Sequence, residues 1–167
     1  MKTLLLLRHA KSSWDSPAAR DFDRPLSGRG ERDAPRIGKA LKLSDVEVDL
    51  VVSSPAQRAR QTTDAVFGAA KYKGPVKFDE NIYEAGMSEL LAVVRGLPDD
   101  DETVALVGHN PGFEELLGTL VGSPSEPASV RLPTATLSLV ELDVDRWRDV
   151  DAGRGTLCWM LVPRLLG

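Results

Sequence analysis

Only two histidines occur among the 167 residues of the chain. His9 stands in "LLLLRHAKSS" and His109 in "VALVGHNPG", each at the end of an apolar run. Arg8 precedes the first histidine, and Arg58 lies in "SSPAQRARQT", just beyond a third apolar run. A neutral imidazole is a nucleophile or proton carrier near neutral pH. A guanidinium offers a planar fork of donors that matches the oxygens of a phosphate or carboxylate. Gathered in one place, two imidazoles and two guanidiniums would suit a phosphoryl group. Taken singly, each has a plainer explanation: a hydrogen-bonded structural histidine, a helix cap, a surface arginine. From spacing alone, both the anion site and the plainer set remain open.

The elements that must position these residues alternate in type. Short Leu- and Val-rich runs predict strands at 2–8, 48–53, 76–79, 103–108, 135–142 and 157–162. Helical periodicity covers about 29–43, 55–70, 87–96 and 111–121. The stretch 123–134 carries three prolines and three serines and reads as a loop, as does the acidic "LPDDDE" at 97–102. Alternating strands and helices predict a single domain, 1–167, built as a three-layer α/β/α sandwich. Its central sheet is expected to be mainly parallel, with one antiparallel strand among the last two. In an open parallel sheet, ligands sit beyond the carboxyl ends of the strands. The segments holding Arg8, His9, Arg58 and His109 all leave strands at that edge. Ser54-Pro55 and Asn110-Pro111 each look like a cap followed by a first helical residue, and helix N-termini favour anions.

Composition narrows the partners. The first 42 residues hold ten Lys/Arg against five Asp/Glu, although the whole chain has a net charge of −4. That asymmetry fits an anion-binding side on an acidic body, or simply solvated helix faces. A pI near 5.2 argues against nucleic acid. No apolar stretch approaches membrane-spanning length, and "TLLLL" is too short for a signal peptide. One cysteine, Cys158, rules out an internal disulfide framework and suits a reducing cytoplasm.

Together, "LLLLRHAKSSWD", "DFDRPLSGRG", "SSPAQRARQT" and "VGHNPG" resemble the histidine phosphatase superfamily. Ala10 replaces the glycine of the usual Arg-His-Gly opening, and this form is similar to the protein phosphohistidine phosphatase (SixA-type) branch. The resemblance implies that His9 is the nucleophile that takes the phosphoryl group. It implies that Arg8 and Arg58 bind the phosphoryl oxygens and that His109 stabilises the transition state. It further implies a cofactor-free phosphohydrolase acting on a phosphorylated protein, with a metal site neither needed nor offered by two histidines; a monomer is expected, though nothing in the sequence sets the oligomeric state.

Two departures from the superfamily pattern stand out. Asp15 occupies a position where an asparagine is often found, and is expected to turn away from phosphate or pair with a cation. Lys11 is a further phosphate-contact candidate, with a solvated lysine the alternative. Glu84 sits near the place of a superfamily proton donor that this branch commonly lacks, so it is either that acid or an exposed loop carboxylate. A rival Cys-x5-Arg reading, Cys158 to Arg164, fails on its bulky residues and Pro163, which has no N–H. Cys158 is instead expected to be a buried strand residue. Within the superfamily, a broad small-molecule phosphatase and a non-catalytic phosphate-binding module are the alternatives. Trp147 and Trp159 are expected to cover the core and Trp14 to line the site or pack. Ser27 is expected to cap the first helix, Asp23 and Arg24 to order the loop before it, and Thr134 to lie near the pocket.

Overall fold

The computed structural model describes residues 1–18 and 20–167. One six-stranded sheet runs through it in the order β3-β2-β4-β1-β5-β6. The strands are β1 (Lys2–Arg8), β2 (Leu50–Ser53), β3 (Val76–Phe78), β4 (Thr103–Gly108), β5 (Leu137–Leu142) and β6 (Gly155–Leu161). The helices are α1 (Gly28–Leu43), α2 (Gln57–Ala69), α3 (Met87–Arg95) and α4 (Gly112–Val121). Strands β1 to β4 are mutually parallel. Strand β5 runs against β1 and β6 against β5, so β5 is the one antiparallel strand.

Four consecutive leucines make β1 a strand buried on both faces. Leu4 and Leu6 join one core with Leu90 and Val94 of α3 and Phe113, Leu116 and Leu117 of α4. Leu5 and Leu7 join the other, with Ile37 and Leu41 of α1 and Val66 and Phe67 of α2. Alternation along one strand thus feeds both interfaces of an α/β/α sandwich. Replacing any of these leucines with alanine is expected to cost about 2–5 kcal/mol.

Helix α1 begins as expected, with Ser27 Oγ accepting from the Gly30 N–H at 3.2 Å. Gly30 has to be small: a Cβ there would stand 2.2 Å from the Lys11 carbonyl oxygen. The first turn of α1 is therefore pressed against the segment that follows His9. The other two expected caps are different. Ser54 does not cap α2, which starts at Gln57 with Ala56 before it; the Ser54 hydroxyl accepts from the Ala56 N–H at 3.3 Å, ahead of the helix, and lies 2.7 Å from His109 Nε2. Asn110 does not cap α4; Pro111 precedes its first residue, and the Asn110 amide donates to the Leu132 carbonyl at 3.0 Å.

Cys158 lies on β6 but is exposed, not buried. Strand β6 is an edge, and its exposed positions, Thr156 and Cys158, alternate with half-buried ones that face the neighbouring layer. Trp147 is fully buried, and Trp159 packs against the α1–α2 core. No helix among the described residues is long and apolar enough to cross a membrane.

Candidate active site

Backbone register brings the two histidines together. Arg8 pairs with Gly108 at the end of the β1–β4 ladder, so the next residue of each strand is a histidine. The ladder extends one step further, where the His9 N–H donates to the Gly108 carbonyl at 2.9 Å. On the other side of β4, the Ser54 N–H donates to the Val107 carbonyl at 2.9 Å, which brings the exit of β2 to the same edge. The imidazole rings of His9 and His109 lie 5.2 Å apart between centroids.

The His9 ring has a defined tautomer. Nδ1 lies 2.7 Å from the Ala10 carbonyl oxygen, which can only accept, so Nδ1 carries the proton. Nε2 keeps its lone pair and has no hydrogen-bond partner among the described residues. The loop is anchored further along, where the Ala10 N–H donates to Thr62 Oγ1 on α2 at 2.9 Å. Burial pulls the His9 imidazole down to about 3; the Ala10 carbonyl opposes this, and the charges of His109, Arg58 and Arg8 add to it. The ring is therefore neutral around pH 7, the state in which a nitrogen nucleophile attacks.

His109 is also held neutral. Burial and then Arg58 pull it to about 4, with Asp21 opposing and Arg8 contributing. Its Nε2 is 2.7 Å from Ser54 Oγ, while Nδ1 is buried without a partner. At pH 7 the resting ring is therefore uncharged. As a neutral ring it still has one N–H to give.

Arg8 reaches from the end of β1 to donate from Nη1 to the Leu132 carbonyl at 2.8 Å, and its Nε is buried without a partner. Burial lowers its guanidinium from the usual value, against an opposing pull from Glu114. Arg58, in the first turn of α2, is only 7% exposed. Its Nη1 donates to the Asp21 carbonyl at 2.8 Å and its Nη2 to Asp21 Oδ2 at 3.0 Å. The arginines and both histidines thus share the edge that the sequence predicts.

Lys11 and Glu84 are placed differently. The Lys11 side chain is exposed, and only its carbonyl is engaged, by the Ser27 N–H and hydroxyl. Glu84 is exposed, in a left-handed backbone conformation at φ 55°, with no hydrogen bond to the four central residues. Asp15 is exposed and forms no ion pair among the described residues. Thr134 is half-buried and makes no hydrogen bond to the site.

Three contributors are absent from the sequence expectations. Asp21, in a short 3₁₀ turn Asp21–Asp23, joins Arg58 to Arg24 and to the Tyr83 hydroxyl. Tyr83 sets its ring 5.6 Å from that of His109, edge to face, and also meets Phe22. Leu132, in the proline-rich loop, supplies the carbonyl shared by Arg8 and Asn110. The repeated acids of "RDFDRPL" beside basic residues were the available signal for Asp21. Arg24 does order that loop: it bonds Ser12, Ser13 and Asp21 and stacks over Trp14, which is exposed. Among the described residues, no three His, Cys, Asp or Glu side chains form a metal-ligand group.

The sequence profile of the histidine phosphatase superfamily (branch 1) matches residues 4–91, which include Arg8, His9 and Arg58. An uncharacterized chloroplastic protein of Arabidopsis thaliana is 32% identical, over 96% of this chain and 75% of its own. The phosphohistidine phosphatase SixA of Escherichia coli is 27% identical, over 96% of this chain and 93% of its own. A solved structure from Agrobacterium tumefaciens, provisionally assigned as a phosphohistidine phosphatase SixA, superposes with a TM-score of 0.80. It is 31% identical and covers 97% of this chain and 99% of its own.

Proposed function

This chain belongs to the histidine phosphatase superfamily, and we propose that it removes phosphate from phosphohistidine in a protein without a metal, by way of a phosphoryl group carried on His9. The observation that carries this reading is the His9 ring: Nδ1–H committed to Ala10, Nε2 free, and Arg8, Arg58 and His109 around it.

In the first half-reaction, the lone pair of His9 Nε2 forms a bond to phosphorus as the bond from phosphorus to the substrate imidazole breaks. The departing electron pair stays on that nitrogen. A proton already present on the other nitrogen of the leaving ring lets it depart neutral, so the site needs little help from an acid. Glu84 is the nearest sequence candidate for a donor to poorer leaving groups such as alkoxides. In the second half-reaction, water forms the new bond to phosphorus and the bond to His9 Nε2 breaks. Free phosphate leaves, the water's proton passes to solvent, and neutral His9 is restored.

Positioning and charge neutralisation do most of the work in phosphoryl transfer. Arg58 supplies fixed positive charge from a buried position and Arg8 from a half-buried one. His109 gives an N–H to an equatorial oxygen, and an arriving phosphoryl dianion favours its protonation. A phosphohistidine substrate suits the reading because the relative from E. coli is named a phosphohistidine phosphatase. A reducing cytoplasm and a monomeric state complete the proposal.

The deciding experiment offers phosphorylated histidine-carrier proteins beside small phosphate esters. Faster release of phosphate from the proteins supports the reading. Preference for the esters assigns the chain to small-molecule hydrolysis instead.

A further inference from the structure

Arg58 holds five N–H donors, and two of them are already engaged before any ligand arrives. Both go to one residue, Asp21, from the two terminal nitrogens. Among the described residues, nothing accepts from Nε–H or from the second hydrogen of either terminal nitrogen. A guanidinium is planar, so two bonds to one residue fix the orientation of the plane as well as its position.

Asp21 is itself held from several sides. Its carbonyl also accepts from the Arg24 N–H at 3.1 Å. Oδ1 accepts from Arg24 Nη1 at 2.8 Å, and Oδ2 from the Tyr83 hydroxyl at 2.8 Å. Burial acts to raise its carboxyl, but the bonds from Tyr83, Arg24 and Arg58 prevail and hold it at about 2. The acid therefore remains an anion, tied to the loop before α1, to α2 and to the segment after β3.

We infer that Asp21 is the positioning residue of the oxyanion site: it grips the terminal nitrogens of Arg58 and leaves the Nε edge of the guanidinium to the phosphoryl oxygens. This deepens the phosphohydrolase reading above and rests on it. Asp21 touches neither phosphorus nor the nucleophile, and acts only through Arg58. Without its carboxylate, Arg58 would keep the backbone carbonyl as a single anchor and turn about it. A misplacement of about 1 Å at such a group can cost on the order of 10²-fold in rate.

The test is a double-mutant cycle of Asp21→Asn and Arg58→Ala. Each protein is titrated calorimetrically with inorganic phosphate and assayed in the steady state, with a thermal melt to confirm folding. Asp21→Asn alone should weaken phosphate binding and lower kcat/KM, each by about 10-fold. In the Arg58→Ala background, the same change should do almost nothing, an outcome that a merely structural role would not give. Unchanged phosphate affinity in Asp21→Asn overturns the inference, as does an equal loss in both backgrounds. If Asp21→Asn does not fold, Asp21→Glu enters the same cycle. A wild-type chain that binds phosphate but turns nothing over defeats the hydrolase reading, while the affinities still decide the role of Asp21.

Discussion

The rings of His9 and His109 stand 5.2 Å apart at an interplanar angle of 53°, and neither is stacked on the other. One ring has its outer nitrogen free and the other is bonded to Ser54 through Nε2. Two histidines at matching strand exits therefore have different hydrogen-bonding states. In the proposed reaction, that difference assigns His9 the attack and His109 the oxygen contact.

His9→Ala should abolish turnover with the fold intact, since no neighbouring group supplies a nucleophile at the same place. Rapid quenching of the wild-type enzyme should trap an acid-labile, alkali-stable phosphoryl adduct, mapped to residue 9 by peptide analysis. Wild-type turnover in His9→Ala would remove the covalent step.

Replacing Arg58 with alanine should weaken phosphate affinity and slow the chemical step together. Charge-assisted hydrogen bonds contribute about 1.5–3 kcal/mol each, so kcat/KM should fall by roughly 10- to 150-fold per bond lost. A rise in KM with kcat untouched would show that Arg58 binds the ground state only.

Ser54→Ala should slow the chemical step by roughly 10-fold, because its hydroxyl bond fixes the His109 ring. Single-turnover rates check this. A drop confined to substrate affinity would argue against ring positioning.

Both imidazoles are depressed in the folded chain, to about 3 for His9 and about 4 for His109, from the ordinary value of about 6.5. Between those values the unfolded chain binds more protons than the folded one, so stability rises with pH through this window. It is complete above about pH 6.5 and is lost as pH falls toward 3. Urea unfolding from pH 7 to 4 should show this slope, and His9→Gln with His109→Gln should flatten it. An unchanged slope would mean that other groups, such as the carboxylates, set acid stability.

Activity should be unaffected by a chelator and by Cys158→Ser. Cys158 is an exposed residue of the edge strand β6, remote in the fold from the strand exits that carry the histidines. Loss of turnover in chelator, restored by one divalent ion, would require a different reaction.

Strand and helix positions were legible because the pattern of β1 and β4 is strong: unbroken apolar runs, buried on both faces, between polar connections. The four central residues were legible because strand exits in a parallel sheet share an edge. Their partners were less so. Asp21 and Tyr83 lie 62 residues apart and meet only through a side-chain bond, which no local period encodes. The caps at Ser54 and Asn110 failed for a related reason. Ser54 Oγ is shared between the Ala56 N–H and His109, and the Asn110 amide N–H turns to the Leu132 carbonyl, so neither side chain bonds the first turn of its helix. Cys158 was misplaced because an apolar edge strand reads like a central one until its neighbours are known.

The central place of β1 has a consequence for biosynthesis. Its hydrogen-bonded neighbours are β4 and β5, which lie about a hundred residues or more further along the chain. During synthesis, Leu4–Leu7 therefore wait without their final partners until residues 137–142 have emerged. Long-range pairings of this kind fold slowly and expose sticky segments meanwhile. The same strand that delivers His9 is thus a part of the nascent chain whose apolar face is left open until late in synthesis.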